Sequence, residues 1–234
     1  MLGFCLAFET EGLPLYHLHM PTRDHWNSVH TSKSAEQTSW FQPHLLTSLD
    51  WITRAAPSHD ATIIDIGAGQ STLVDDLLAA GYRNITVLDV ASSALDRSRA
   101  RLDASPLAEA ASHVRWLTAD IADPDLPPDT LPPASIDLWH DRAVFHFLTA
   151  PAQRQTYTAR LAASLRPSGH AILATFGPDG PQKCSGLPTM RYSAESLSAE
   201  LGPAFALQHS VLIDHTTPNG ATQQFLYGDF LRQS

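Results

Sequence analysis

The chemistry of this chain is concentrated in Asp65-Ile66-Gly67-Ala68-Gly69-Gln70-Ser71-Thr72. An apolar strand, Ile63 to Ile66, runs into a glycine turn that opens a helix. Residues without a Cβ let the backbone approach a ligand closely at such a turn. The next apolar run, Ile85-Thr86-Val87-Leu88, closes on Asp89. A carboxylate at that strand end suits the ribose hydroxyls of an adenosine-containing cofactor. A second polar cluster lies downstream, in Trp139-His140-Asp141-Arg142-Ala143-Val144-Phe145-His146. His, Asp, Arg and His at a strand end are too polar for ordinary core. His146, Asp141 or His140 is placed to take a proton from a nucleophile, and Asp141, Arg142 and His146 are the catalytic candidates. The plainer alternative makes Asp141–Arg142 a structural pair shaping a pocket, and His146 a hydrogen-bonded helix residue.

These residues need a scaffold, and the patterning supplies one. Strands are expected near 62–66, 84–89, 114–119, 135–140 and 169–176, with helices near 71–80, 92–104 and 151–166. Leu73, Leu77 and Leu78 give the first of these helices an apolar face, and Gly81 stops it. Strand–helix alternation with short connections implies a parallel sheet covered on both faces. Five prolines (Pro124, Pro127, Pro128, Pro132, Pro133) break the rhythm and predict a loop there. A further helix near 193–201 starts at Ser193, a good cap. Two β-rich runs, 205–213 and 223–230, flank Pro218-Asn219-Gly220 and read as a hairpin. Upstream, 25–56 looks like a helical cap in pieces, with Pro43 suited to the first turn of a new helix. Residues 1–24 read as an extension or arm, and 25–234 as one domain with its core over 61–234.

Composition narrows the partners. The chain has 234 residues, 43% hydrophobic, with a formal charge of -9. That length buries a full single-domain core. The acidic balance argues against bulk nucleic acid. Arg97, Arg99 and Arg101, the densest basic run, are expected on a solvated helix face. Cys5 and Cys184 imply no disulfide framework. No apolar run approaches the ~20 residues of a membrane span. Met1 to Phe8 lacks a basic flank and meets Glu9 and Glu11, so a secretion signal is not expected and the cytoplasm is the default. His17 and His19 lack further ligands at a metal spacing and read as surface histidines. No metal site is expected.

Two cofactor readings fit the glycine turn. A nicotinamide dinucleotide site wants a third glycine at position 72, where this chain has Thr72. The whole pattern instead resembles class I S-adenosylmethionine-dependent methyltransferases, from about residue 40 to the C-terminus. The resemblance rests on Asp65-Ile66-Gly67-Ala68-Gly69, Asp89, Leu117-Thr118-Ala119-Asp120 and Leu165-Arg166-Pro167-Ser168-Gly169. One departure is Ser71, where many members have a third glycine. It implies a Rossmann-like α/β fold, with a seven-stranded, doubly wound, mostly parallel sheet ending in an antiparallel hairpin.

S-adenosyl-L-methionine is the implied cofactor and S-adenosyl-L-homocysteine the product. The resemblance places the cofactor against Asp65, Gly67, Gly69, Ser71 and Thr72. Asp89 would bind the ribose, Val90 the adenine face, and Asp120 with Ile121 the adenine amino edge. His140 and Trp40 complete the expected cofactor set. Asp120 also reads as a turn-forming Asp. Trp26, Trp40 and Phe41 stand where the family's layout puts a lid.

Asp141-Arg142 is distantly similar to the Trp-Asp-Arg-Gly-Ala-Leu run of the thiopurine S-methyltransferase branch, which implies a small thiol or chalcogen substrate. A lysine or other amine acceptor is the alternative, and a nicotinamide oxidoreductase the more remote one. The loop Gly177 to Pro188 should shape the substrate rim, with Cys184 near substrate or simply buried.

Overall fold

A computed structural model describes residues 23–233. The readings made for Cys5, His17, His19 and residues 1–22 fall outside them.

The chain enters through α1 (Arg23–Ser32), a short 3-10 turn and α2 (Leu46–Ala55). The alternation then starts: β1 (Thr62–Ile66), α3 (Leu73–Ala79), β2 (Asn84–Asp89), α4 (Ser92–Asp103), the single turn α5 (Ala108–Ala111) and β3 (Arg115–Thr118). After the proline-rich crossover come β4 (Ile136–Arg142), α6 (Pro151–Ser164) and β5 (Leu165–Phe176). A two-residue ladder, β6 (Lys183–Cys184) with β7 (Leu187–Pro188), leads to α7 (Ala194–Leu201) and the closing strands β8 (Phe205–Thr216) and β9 (Thr222–Arg232). The seven-stranded sheet has the order β3-β2-β1-β4-β5-β9-β8. All pairings from β3 to β5 are parallel, while β9 runs antiparallel to both β5 and β8.

The central strands are continuous apolar runs because both of their faces are covered. Ile63, Ile64 and Ile66 are all fully buried. Their side chains divide by strand period. Ile63 joins Leu138, Ile172 and Phe225 on the face covered by α2 and α3. Ile64 and Ile66 join Trp139, Leu173 and Phe230 under α6 and α7. The strand order reverses between β1 and β4, so the loops beyond their carboxyl ends part and open a crevice.

Local departures have local causes. Pro43 does not start a helix: α2 begins at Leu46, and the Pro43 carbonyl instead accepts the Thr72 hydroxyl (2.6 Å). The crossover at the prolines holds one 3-10 turn, Pro128–Thr130. Ser193 caps α7 by accepting from Ser196 N (3.2 Å). The arginine run on α4 is more than a solvated face. Arg97 donates to the carbonyls of Thr31 and Lys33, fastening the end of α1. Arg101 pairs with Asp75 (2.7 Å) and donates to Gln70 O and Ser71 O, bracing the glycine turn from outside. Arg99 lies over the Trp116 ring at 5.4 Å.

Candidate active site

The glycine turn is bent by backbone alone. Gly67 and Gly69 have φ of +61° and +56°, a region that L-residues rarely occupy. Gly67 N and Ala68 N both donate to Leu88 O (2.7 and 3.2 Å), folding the turn against the end of β2. There is no room for a side chain at Gly67: an added Cβ would sit 2.0 Å from Val144 Cγ2. At Gly69 it would meet His30 of α1 at 3.2 Å, so the cap rests on the turn. The His30 imidazole, buried and near Arg97, has its pKa lowered to about 4 and is neutral.

Asp89 locks this arrangement. Its Oδ2 accepts from Gly69 N and its Oδ1 from Ala91 N, both at 2.7 Å. Burial pushes its carboxyl up to about 6, even though those amides favour the ionised form. A carboxylate has roughly four acceptor positions, so each oxygen retains capacity for a hydroxyl donor. Asp120 takes the turn-forming role: its Oδ1 accepts from Ala122 N (2.8 Å), and burial raises its pKa.

Behind the crevice, β4 sends alternate residues to opposite faces. On one face, His140 Nδ1–H donates to Asp65 Oδ1 (2.7 Å), and His140 Nε2 lies 2.9 Å from Ser48 Oγ. This fixes the Asp65 carboxylate through α2. On the other face, Trp139 Nε1–H donates to Tyr157 OH (2.8 Å), which donates to Asp141 Oδ2 (2.7 Å). Asp141 Oδ1 accepts from Val144 N (3.0 Å) and Phe145 N (3.4 Å). Burial raises the Asp141 carboxyl to about 6. Asp141 is therefore a corner brace with both oxygens engaged. It holds Ala143 at φ +73°, at the position where the similar motif carries glycine.

That corner aims Arg142 into the crevice. Arg142 donates to Trp40 O (3.0 Å), and its guanidinium lies 4.7 Å from the centroid of Phe225. Its Nε is buried without a hydrogen-bond partner. His146 is fully buried and stacks on Phe176 at 4.0 Å. Its Nδ1 accepts from Phe176 N (3.1 Å), so the neutral ring carries its proton on Nε2, which has no partner either. Burial and Arg142 lower its pKa to about 3. Cys184 is buried with its thiol 3.7 Å from Ser39 Oγ, and burial raises its pKa.

One crevice thus gathers most of the expected residues: Asp65, Gly67, Gly69, Ser71, Asp89, Val90, Asp120, Ile121, His140, Trp40, Arg142 and His146. Thr72 and Asp141 are not among its walls. Thr72 turns its hydroxyl to the cap, and Asp141 faces the corner behind. The geometry offers no base at either residue: Asp141 does not line the crevice, and the acceptor nitrogen of His146 is already used by Phe176 N. Sequence reading missed Phe176, Phe225 and His30, while Gln42 belongs to the Ser39-Trp40-Phe41-Gln42 segment expected to cover the cofactor. The two phenylalanines come from β5 and β9, whose positions only the folded sheet defines. Gln42 lines the crevice and lies 3.2 Å from His215 Nδ1, anchoring the segment that carries Trp40.

Residues 64–171 match the family model described as a methyltransferase domain. The mouse (Mus musculus) protein EEF1A lysine methyltransferase 2 is 30% identical over 90 residues, covering 35% of this chain and 37% of that relative's length. The whole fold is similar to Burkholderia thailandensis 1,6-didemethyltoxoflavin-N1-methyltransferase, solved with its namesake ligand and S-adenosylhomocysteine. The TM-score is 0.64 at 20% identity, covering 92% of this chain and 84% of that one. The N-methyltransferase NodS of Bradyrhizobium japonicum, in complex with S-adenosylhomocysteine, gives a TM-score of 0.64 at 17% identity, covering 90% and 100%. Residues 64–171 thus match a methyltransferase domain, and the chain folds as the S-adenosylmethionine-dependent methyltransferases do.

Proposed function

We propose that this protein transfers the methyl group of S-adenosylmethionine to a small-molecule nucleophile, with a thiol or related soft atom favoured. The observation that carries the reading is the joint geometry of the Gly67–Gly69 turn and Asp89 in one crevice. The left-handed glycines give the cofactor an unobstructed backbone, and Asp89 keeps acceptor capacity for the ribose hydroxyls. Val90 and Ile121 would flank the adenine, with Asp120 at its polar edge. Asp65, held by His140, would face the amino-acid part. The bound cofactor supplies an electrophilic methyl carbon on a sulfonium. The protein's own contribution is alignment and exclusion of water. Trp26, Trp40 and Phe41 of the cap wall the crevice and serve that exclusion.

The alternative acceptor is a protein lysine or another amine, favoured by the similarity to the mouse lysine methyltransferase. Asp141, turned away from the crevice, and His146, its acceptor nitrogen occupied, speak against it, since an ammonium must first lose a proton to a base. The formal charge of -9 weighs against bulk nucleic acid as a partner. Among the described residues, no helix is long and apolar enough to cross a membrane.

Turnover of methyl-labelled cofactor against thiols, amines, carboxylates and a cell lysate tests the proposal. Label in an extractable small product supports it. Label confined to a protein band replaces it with the amine reading.

A further inference from the structure

The far end of the crevice is built unlike the end assigned to the cofactor, and this inference rests on that assignment. Arg142 ends β4 and His146 lies in the 3-10 turn Phe145–Phe147 just after it, and both flank the ring of Phe225: the guanidinium at 4.7 Å and the imidazole at 6.3 Å from its centroid. Both line the crevice and both carry a buried N–H without a hydrogen-bond acceptor, at Arg142 Nε and His146 Nε2. Among the described residues, no carboxylate pairs with Arg142. The nearby acids have other partners: Asp65 has His140, and Asp141 has Tyr157 and two backbone amides. His215 is committed as well, its Nε2–H donating to Ser39 O (2.8 Å) while Nδ1 faces Gln42. A buried cation and a buried donor left without acceptors are costly unless something brings negative charge to them. Around them the surfaces are aromatic: Phe147, Phe176, Phe225 and Trp40.

We infer that the substrate binds as an organic anion, an aromatic or similarly flat acid whose charged group is held by Arg142 Nε–H and His146 Nε2–H against this aromatic floor. The inference also removes a difficulty in the mechanism. Neither Arg142 nor His146 presents a free proton acceptor to the crevice, and an anionic acceptor needs none. Its lone pair forms the new bond to the methyl carbon, the carbon–sulfur pair returns to the sulfonium sulfur, and the two opposite charges cancel with no proton moved. The Arg142 cation lowers the pKa of an acid beside it and so raises the fraction already ionised. The same cation repels an ammonium, which bears against a lysine acceptor.

The test is a calorimetric titration of the full chain, first with S-adenosylhomocysteine and then, once saturated, with benzoate, benzamide and benzylamine. Benzoate should bind at least about tenfold tighter than benzamide, with benzylamine weakest, as a charge-assisted contact requires. Arg142→Met should lose about tenfold or more in benzoate affinity, a larger loss than any in its affinity for S-adenosylhomocysteine. His146→Asn, which can still accept from Phe176 N, should show a smaller loss. Equal binding of benzoate and benzamide to the wild-type chain, or no benzoate binding, overturns the inference and leaves the methyltransferase reading standing. Failure to bind S-adenosylhomocysteine overturns both. The wild-type comparison needs no variant, so a misfolded Arg142→Met does not blunt it.

Discussion

The two ends of the crevice satisfy their polar groups in opposite ways. At the glycine end each charged group is already held by its own chain: Asp89 by the amides of Gly69 and Ala91, Asp120 by Ala122. At the aromatic end Arg142 and His146 keep N–H groups that nothing in the described chain accepts. The first end is preorganised, and its shape persists without a ligand. The second stores unmet hydrogen-bonding capacity, and a ligand completes it. Rigid positioning of one reactant and conditional recognition of the other is what a two-substrate transfer asks of a site.

The contrast is broken most severely at Gly67. Gly67→Ala forces an L-residue into φ +61° and drives its Cβ toward Val144. We expect a loss of about 2–4 kcal/mol in unfolding free energy. Binding of S-adenosylhomocysteine should fall beyond detection, read by thermal melting and calorimetry. An alanine that melts and binds like the wild type would mean the turn is not rigid.

A second expectation concerns acid. His146, at about 3, and His30, at about 4, lie below the ordinary histidine value of 6.5. Between those values the unfolded chain binds protons that the folded chain does not, so their contribution is present above pH 6.5 and lost as pH falls. Asp89 and Asp141, raised to about 6, work the other way: their contribution is present below about 4 and lost as pH rises through 6. His146→Asn removes the strongest acid-sensitive group. Its unfolding free energy, followed by denaturant titration from pH 7 to 5, should therefore fall less than that of the wild type. An identical slope would show that His146 titrates in the folded chain as it does in the unfolded one.

The smallest change is at Ala143, whose φ of +73° costs an L-residue about 1 kcal/mol or more. Ala143→Gly should relieve that strain and raise stability by roughly 0.5–1 kcal/mol, less what glycine adds to the entropy of the unfolded chain. A destabilised variant would show that the alanine methyl packs usefully at the corner.

The same contrast separates what the sequence discloses from what it does not. The glycine end is contiguous: strand, turn and carboxylate follow one another from Ile63 to Asp89, and the period of the apolar residues marks them. The seven-stranded sheet and the closing hairpin are legible for the same reason, being repeats of a local pattern. The aromatic end is assembled from Trp40 of the cap, Arg142 and His146 of the β4 corner, Phe176 of β5 and Phe225 of β9. No spacing in the chain announces that meeting. Asp141 suits either a base or a structural brace by its type, and only the Tyr157 hydroxyl projecting from α6 favours the brace. Thr72 sits in the right motif and faces the wrong way, a matter of one rotation about the start of α3.

The central claim is that Asp89, fixed by the glycine turn, holds the ribose of S-adenosylmethionine. Calorimetric titration of the wild type and of Asp89→Asn with S-adenosylhomocysteine at pH 7.5, with NAD as the competing ligand, tests it directly. We expect one site for S-adenosylhomocysteine, an affinity about 10- to 100-fold weaker in the variant, as loss of a hydrogen bond to a charged acceptor implies, and no comparable heat from NAD. Unchanged affinity in Asp89→Asn, or tighter binding of NAD by the wild type, would contradict the account.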